Sequence, residues 1–436
     1  MSGVTLWTSG KTVALTGERR HLHKGTLPAP GFTPPPLAPL IHFEPTALAA
    51  AIARTATLRA APPELLAGFK DSALSEAQLL VADGPGFALS PHLAMLADTE
   101  RTHFAARVGA GITDIYMNTL GYTWRDNAAS LALSLQPHAD FLYDGGSATG
   151  HGVVLAEARG SFAATVTDKA VAAAAERKYL RQVRPYVGAT SPHGDVIHGY
   201  ALAFGCQPTA ANAFLRLSQT RRPKAPSGGK PPGPSSVSQP PAGAPVGSYA
   251  VPTGMALAAH RSNFILMDAL PIADWIDWLS GAQGFPDDDE PVLFLRIPYA
   301  GRTFLACADM LAPYRLPLWV YDLLDHPLVW RRWERRSVAV PAPLRWFVME
   351  EKAATTFLNA LAAMVRFGPG ERPARLELPT GDTVGLSSER ADHGARLGRE
   401  GYEYSLFRDG LALLGGMPPK RIDGFLRWHP KEGLLG

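Results

Sequence analysis

Cysteine is nearly missing from this sequence: 436 residues hold two, Cys206 and Cys307, with no second cysteine near either. That excludes a disulfide framework and a cysteine-rich zinc site. Long apolar runs are missing too. Nothing approaches the roughly 18 residues of a membrane span, and Ala47 to Ala53 is short and weakly apolar. The first thirty residues hold Lys11, Glu18, Arg19, Arg20 and Lys24 but no apolar stretch after a basic start, so no signal peptide is expected. An excess of one charge is also lacking. Lys and Arg total 42 against 39 Asp and Glu, a formal net charge of +3, so any nucleic-acid surface must come from local clustering. Gly-x-Ser-x-Gly, His-Glu-x-x-His and Gly-x-Gly-x-x-Gly do not occur in their required contexts, so hydrolase-elbow, zincin and dinucleotide sites lack support. The expectation is a reduced, cytoplasmic protein with no membrane partner.

What is there suffices for real cores: hydrophobic residues make up 46% and charged residues 19%, which rules out a wholly disordered chain. The length favours two or three domains. Residues 1–97 form a Pro/Ala-rich extension, with prolines at 28, 30, 34, 35, 36 and 39, and read as an extended lead-in with one helix from Pro45 to Arg59. Residues 98–219 read as an α/β unit. Thr99 to Leu120 is a helix closed by Gly121-Tyr122; Ala129 to Leu135, Phe141 to Tyr143 and Gly152 to Ala156 are short strands. Thr167 to Val183 is a second helix with Thr167 or Asp168 as N-cap, and Val196 to Phe204 a further strand. Residues 220–248 are a Pro/Gly/Ser linker that cannot bury enough apolar surface to order itself. Residues 249–436 carry most of the tryptophans, among them Trp275, Trp278, Trp330, Trp333 and Trp428, and are expected to pack as a separate domain of recognition or partner binding.

The most informative constellation is Pro137-His138-Ala139-Asp140 opening one strand and Glu157-Ala158-Arg159 closing the next. Two acids at neighbouring strand ends can converge, and hard oxygen ligands suit Mg²⁺ or Mn²⁺. Such a metal polarises a phosphodiester oxygen and acidifies a bound water.

These residues, in the order helix, three strands, helix, strand, resemble the PD-(D/E)XK nuclease superfamily, the restriction-endonuclease-like fold, over about residues 98 to 218. The resemblance implies an α/β core of that type; a separate Trp-rich α+β C-terminal domain is expected after it. It implies Asp140 and Glu157 as metal ligands, with the Ala158 carbonyl as a third. Asp114 on the preceding helix, followed by Leu120-Gly121-Tyr122, is similar to the helix acid of Mrr-like members and would complete the acidic site. Gln182 and Tyr186 are similar to the Gln-x-x-x-Tyr signature of RecB-like members. The implied activity is metal-dependent hydrolysis of nucleic acid, DNA first, in a role of defence against foreign DNA.

Two departures stand out. The family lysine is replaced by Arg159, whose guanidinium cannot deprotonate water but can hold a phosphate. Lys178, four before Gln182 on the same helical face, is a candidate to supply the missing ammonium. Pro185, between Gln182 and Tyr186, removes an amide donor and strains the helix there.

Other candidates carry less. Arg331, Arg332, Arg335 and Arg336, interleaved with Trp330 and Trp333, suit phosphate contact with stacking, or simply an amphipathic helix. Asp287-Asp288-Asp289-Glu290 reads as a solvated acidic loop, and Gly228-Gly229-Lys230 lies in the linker without P-loop context. His138 and His151 flank the acid pair, while His193 and His198 have poor geometry for a shared metal. The rival to catalysis is a nuclease-fold module, inactive through Arg159, that binds nucleic acid or a partner protein. A third reading is an assembly protein in which the Trp-rich domain does the binding.

Overall fold

A computed structural model describes residues 7–29, 32–131, 136–145, 152–208, 212–222, 247–286, 290–308, 346–388, 403–415 and 422–435. Residues 223–246 of the expected linker, with Gly228 to Lys230, and His151, Asp287 to Asp289, Trp330, Trp333 and the four arginines from Arg331 to Arg336 lie outside the described residues, while the linker's ends at 220–221 and 247–248 are strand.

In chain order the first half contains β1 (Lys11–Leu22), β2 (Leu40–Phe43), α1 (Pro45–Thr57), α2 (Pro63–Leu79), α3 (Asp98–Thr119), β3 (Arg125–Asn127), β4 (Phe141–Asp144), β5 (Val153–Ser161), α4 (Asp168–Lys178), β6 (Thr190–Ser191), β7 (Gly194–Cys206) and β8 (Ala213–Arg221). The second half adds β9 (Gly247–Pro252), α5 (Thr253–Leu266), α6 (Leu270–Ser280), β10 (Val292–Tyr299), β11 (Arg302–Cys307), β12 (Trp346–Glu350), α7 (Glu351–Phe367), β13 (Arg375–Thr380) and β14 (Leu386–Ser387). It closes with β15 (Glu403–Leu406), β16 (Leu411–Gly415), β17 (Phe425–His429) and β18 (Gly433–Leu435). The protein is α/β, with mixed sheets and helices.

The main sheet runs β14-β2-β1-β8-β7-β5-β4-β3, with β6 on the side of β7. β3, β4 and β5 form an antiparallel meander, and β5 then lies parallel to β7 after a crossover through α4. A parallel neighbour needs such a crossover, and α4 provides it. Thr167 caps α4 by accepting from the Ala170 amide at 3.2 Å. A second, seven-stranded sheet runs β15-β16-β12-β11-β10-β17-β18, and β9 pairs with β13.

The structure differs from the sequence reading in three places. The expected lead-in contributes β1, which lies parallel to β8 inside the main sheet, and β2, antiparallel to β1. The prolines that suggested extension all fall after β1 and before β2. The expected strand at Ala129 to Leu135 is a 3-10 turn over Ala128–Leu131, residues 132–135 lying outside the description, and the strand comes earlier, at Arg125–Asn127. Asn127 Oδ1 accepts from the Ala129 amide at 2.8 Å, a local bond that competes with a strand ladder. Finally, the C-terminal elements share the core of the first half. One cluster of buried side chains runs from Trp7 to Trp428, and α5 packs on α1 and β3.

Polar groups cross the same boundary. Arg54 of α1 and Arg125 of β3 each donate to Asp409 Oδ2 at 3.1 Å, and Asn263 of α5 donates to it at 3.0 Å. All three charged side chains are fully buried. Burial alone would raise the Asp409 carboxyl, but the two guanidinium groups outweigh it and hold it well below the usual range.

Candidate active site

The β4–β5 register sets the site. Phe141 faces Ala156, so the next pair outward is Asp140 opposite Glu157. Paired residues share a face of the sheet, which brings the two carboxylates together. Asp140 lies just before β4, and its Oδ2 accepts from the Ala158 amide at 2.9 Å, where the ladder has ended. A strand residue turns its N–H and C=O to the same side. The Ala158 carbonyl therefore faces the same edge as Asp140.

Glu157 is fully buried. Burial, with the neighbouring Asp140 charge adding to it, pushes its carboxyl up to about 8; Lys178 acts in the opposite sense. Lys178 Nζ stands 2.7 Å from Glu157 Oε1, although that oxygen receives no well-angled hydrogen bond. Gln182 joins the group: its Oε1 accepts from Lys178 Nζ, and its Nε2 donates to the His138 carbonyl at 2.7 Å and, more weakly, to Glu157 Oε2 at 3.4 Å.

The local sequence explains how Gln182 gets there. α4 stops at Lys178 and widens into a single π turn over Tyr179–Val183, followed by a 3-10 turn over Arg184–Tyr186. Pro185 has no N–H, and its ring would strike the Arg181 carbonyl in a continued α-helix. The chain answers by letting the Arg184 amide reach back to the Tyr179 carbonyl. Lys178 and Gln182, four apart, stay on one face, while Tyr186 packs on the main core.

Other candidate residues lie elsewhere. Asp114 is fully buried on α3, accepting from Tyr143 Oη at 3.0 Å with Arg54 Nε at 3.4 Å, so it belongs to the buried arginine network and not to the acid pair. Its short helical spacing to Leu120-Gly121-Tyr122 put it on the right element, but on the face that packs inward. Among the described residues no group of three His, Cys, Asp or Glu side chains is arranged to hold a metal. Arg159 is exposed at the end of β5. His138 turns Nδ1 to the Ala139 carbonyl at 2.6 Å; His193 pairs with Asp126 at 2.7 Å, and buried His198 lies 3.3 Å from Gln219.

The residues fit a divalent cation on physical grounds. Two carboxylates are held together, one in a dry setting that disfavours its charge, with one oxygen lacking an aligned donor. A cation there relieves the repulsion that raises Glu157. Asp140, Glu157 and the Ala158 carbonyl would hold it, with the remaining positions open to water.

Beside Asp140 opens a pocket of about 250 Å³ whose walls include Arg59, Phe69, His103 and Arg107. The sequence reading passed over these residues. The four-residue spacing of His103 and Arg107 on one face of α3 was the available signal. A second basic group gathers where β1 ends beside β8 and the turn after α4. His21 and His23 are both lowered, chiefly by burial; at His21 Glu176 opposes this and Arg19 and Arg184 add to it, and at His23 Arg184 and Arg222 add to it.

No protein-family model matches this chain, and no curated protein or solved structure matches it either.

Proposed function

We propose that this protein hydrolyses phosphodiester bonds of nucleic acid, DNA in the first instance, with Mg²⁺ or Mn²⁺ held by Asp140 and Glu157. The observation that carries the reading is the meeting of Asp140, Glu157, Lys178 and Gln182 where β4 begins beside the middle of β5. The run from α3 through the β3–β5 meander and α4 to parallel β7 supports a restriction-endonuclease-like core. Arg184 and Arg222 near His21 and His23, with Arg19 paired to Glu176, place cationic groups at this end of the main sheet.

Bound metal supplies positive charge at a phosphate oxygen and acidifies a water. The chain's own groups do the rest. Lys178, with 29% of its side chain exposed, keeps an ammonium where negative charge develops on the phosphate. Gln182 ties Lys178 to Glu157 and to the His138 carbonyl, so both side chains are fixed before substrate arrives. Exposed Arg159 can grip a neighbouring phosphate bidentately but cannot move a proton.

Incubation with plasmid, linear and single-stranded DNA in Mg²⁺ or Mn²⁺ tests this. Hydrolysis that a chelator stops supports the reading. A folded protein that leaves all three substrates intact with either metal contradicts it.

A further inference from the structure

The pocket beside Asp140 has an unusual wall. Asp140, Phe141 and Ala158 form one wall, so of the two acids it is Asp140 that the pocket touches. Its outer side comes from α1, α2 and α3, two of which lie before residue 98 and outside the segment that carries the nuclease resemblance. Three cationic or protonatable groups border it. Arg107 is fixed by Ser72 Oγ at 2.9 Å and by Glu76 at 2.9 Å. Arg59 and His103 are exposed and have no ion pair among the described residues. The turn that carries Arg59 is itself held, because its carbonyl accepts from Arg261 Nη1 at 3.0 Å. Phe69 of α2, half-buried against Leu66, Ile265 and Ala273, adds an aromatic surface.

Cations around an aromatic ring, next to a phosphoryl-transfer centre, match the two halves of a nucleotide. Phosphate goes to the guanidinium groups, and a base goes to the ring face. A base can reach a ring in a side pocket only when it is not stacked in a duplex. We infer that this pocket holds one unpaired nucleotide next to the scissile phosphate, its phosphate on Arg59, His103 and Arg107 and its base on Phe69, so that the protein selects single-stranded segments or frayed ends.

The inference rests on the proposed hydrolytic site, and the experiment separates the two. Binding of a short fluorescent single-stranded oligodeoxynucleotide, and of its blunt duplex, is measured by anisotropy with the full chain in Ca²⁺. Hydrolysis in Mg²⁺ is followed in parallel. Wild type should prefer the single strand, and Arg59→Ala and Phe69→Ala should each weaken it about tenfold. Arg59→Ala should also lower the slope of log affinity against log salt by about one. Arg59 and His103 are exposed, so Arg59→Ala and His103→Ala report even if Phe69→Ala folds poorly. Hydrolysis by wild type with unchanged binding in these variants overturns the pocket and leaves the active site standing. Equal affinity for duplex and single strand overturns it too. Sensitive single-strand binding without hydrolysis keeps the pocket and overturns the catalytic reading. Neither binding nor hydrolysis overturns both.

Discussion

Lys178 Nζ lies 2.7 Å from Glu157 Oε1, bridging the end of α4 and the middle of β5. The contact puts the Lys178 amine beside the buried Glu157 carboxyl without using the position two residues after Glu157, where Arg159 stands. If the proposed hydrolysis holds, a lysine on the neighbouring helix and an exposed arginine on the strand would divide work that one strand lysine would otherwise do.

That division gives the first expectation. Lys178→Ala should slow single-turnover hydrolysis about 10²- to 10³-fold, the scale of losing one positioned donor. Arg159→Ala should cost less than about tenfold, because exposed contacts to phosphate are screened. Rates under saturating DNA check this. The reverse order would place the essential cation on Arg159.

Glu157 makes metal-free stability depend on pH in an uncommon direction. Its carboxyl sits near 8 when folded against an ordinary 4.5, so the folded chain holds the proton more tightly. This contribution is complete below the unfolded value and is lost as pH rises toward 8. Glu157→Gln mimics the protonated form. It should melt close to wild type at about pH 5 and increasingly above it toward about pH 9, by up to roughly 1.4 kcal/mol per pH unit in the window. Melting curves without divalent metal test the sign. Mn²⁺ affinity of wild type should rise over the same window, because the metal competes with that proton.

Asp409 neutralises two arginines from the other half of the chain. Asp409→Ala leaves Arg125 and part of Arg54 charged and buried, which should destabilise by about 3–5 kcal/mol. A urea midpoint unchanged from wild type would contradict the shared core.

Gly160 lets α3 approach β5. A Cβ there would lie 1.6 Å from the Ala105 carbonyl oxygen, a backbone atom that cannot swing away. Gly160→Ala should therefore cost about 3 kcal/mol, and thermal melting reads it.

Much of the middle segment was legible because its signals are local. Helical periodicity found α3 within a residue or two, and the Thr167 cap located α4. Asp140, Glu157, Lys178 and Gln182 could be singled out by spacing, since one register and one helical turn bring them together. β1 was not legible: it alternates little, carries four charges over Glu18 to Arg20 and Lys11, and pairs with β8 across the length of the domain. Nor was the setting of Asp114, decided by Arg54 and Tyr143 from distant elements. The pocket depends on α2, whose weak apolar pattern passed as extension.

The most direct measurement is a time course of plasmid cleavage in Mn²⁺ by wild type, Asp140→Ala and Glu157→Ala, each first shown to be folded by circular dichroism. The account requires wild type to nick or linearise the plasmid and both variants to leave it supercoiled. Cleavage that survives loss of either acid would contradict it.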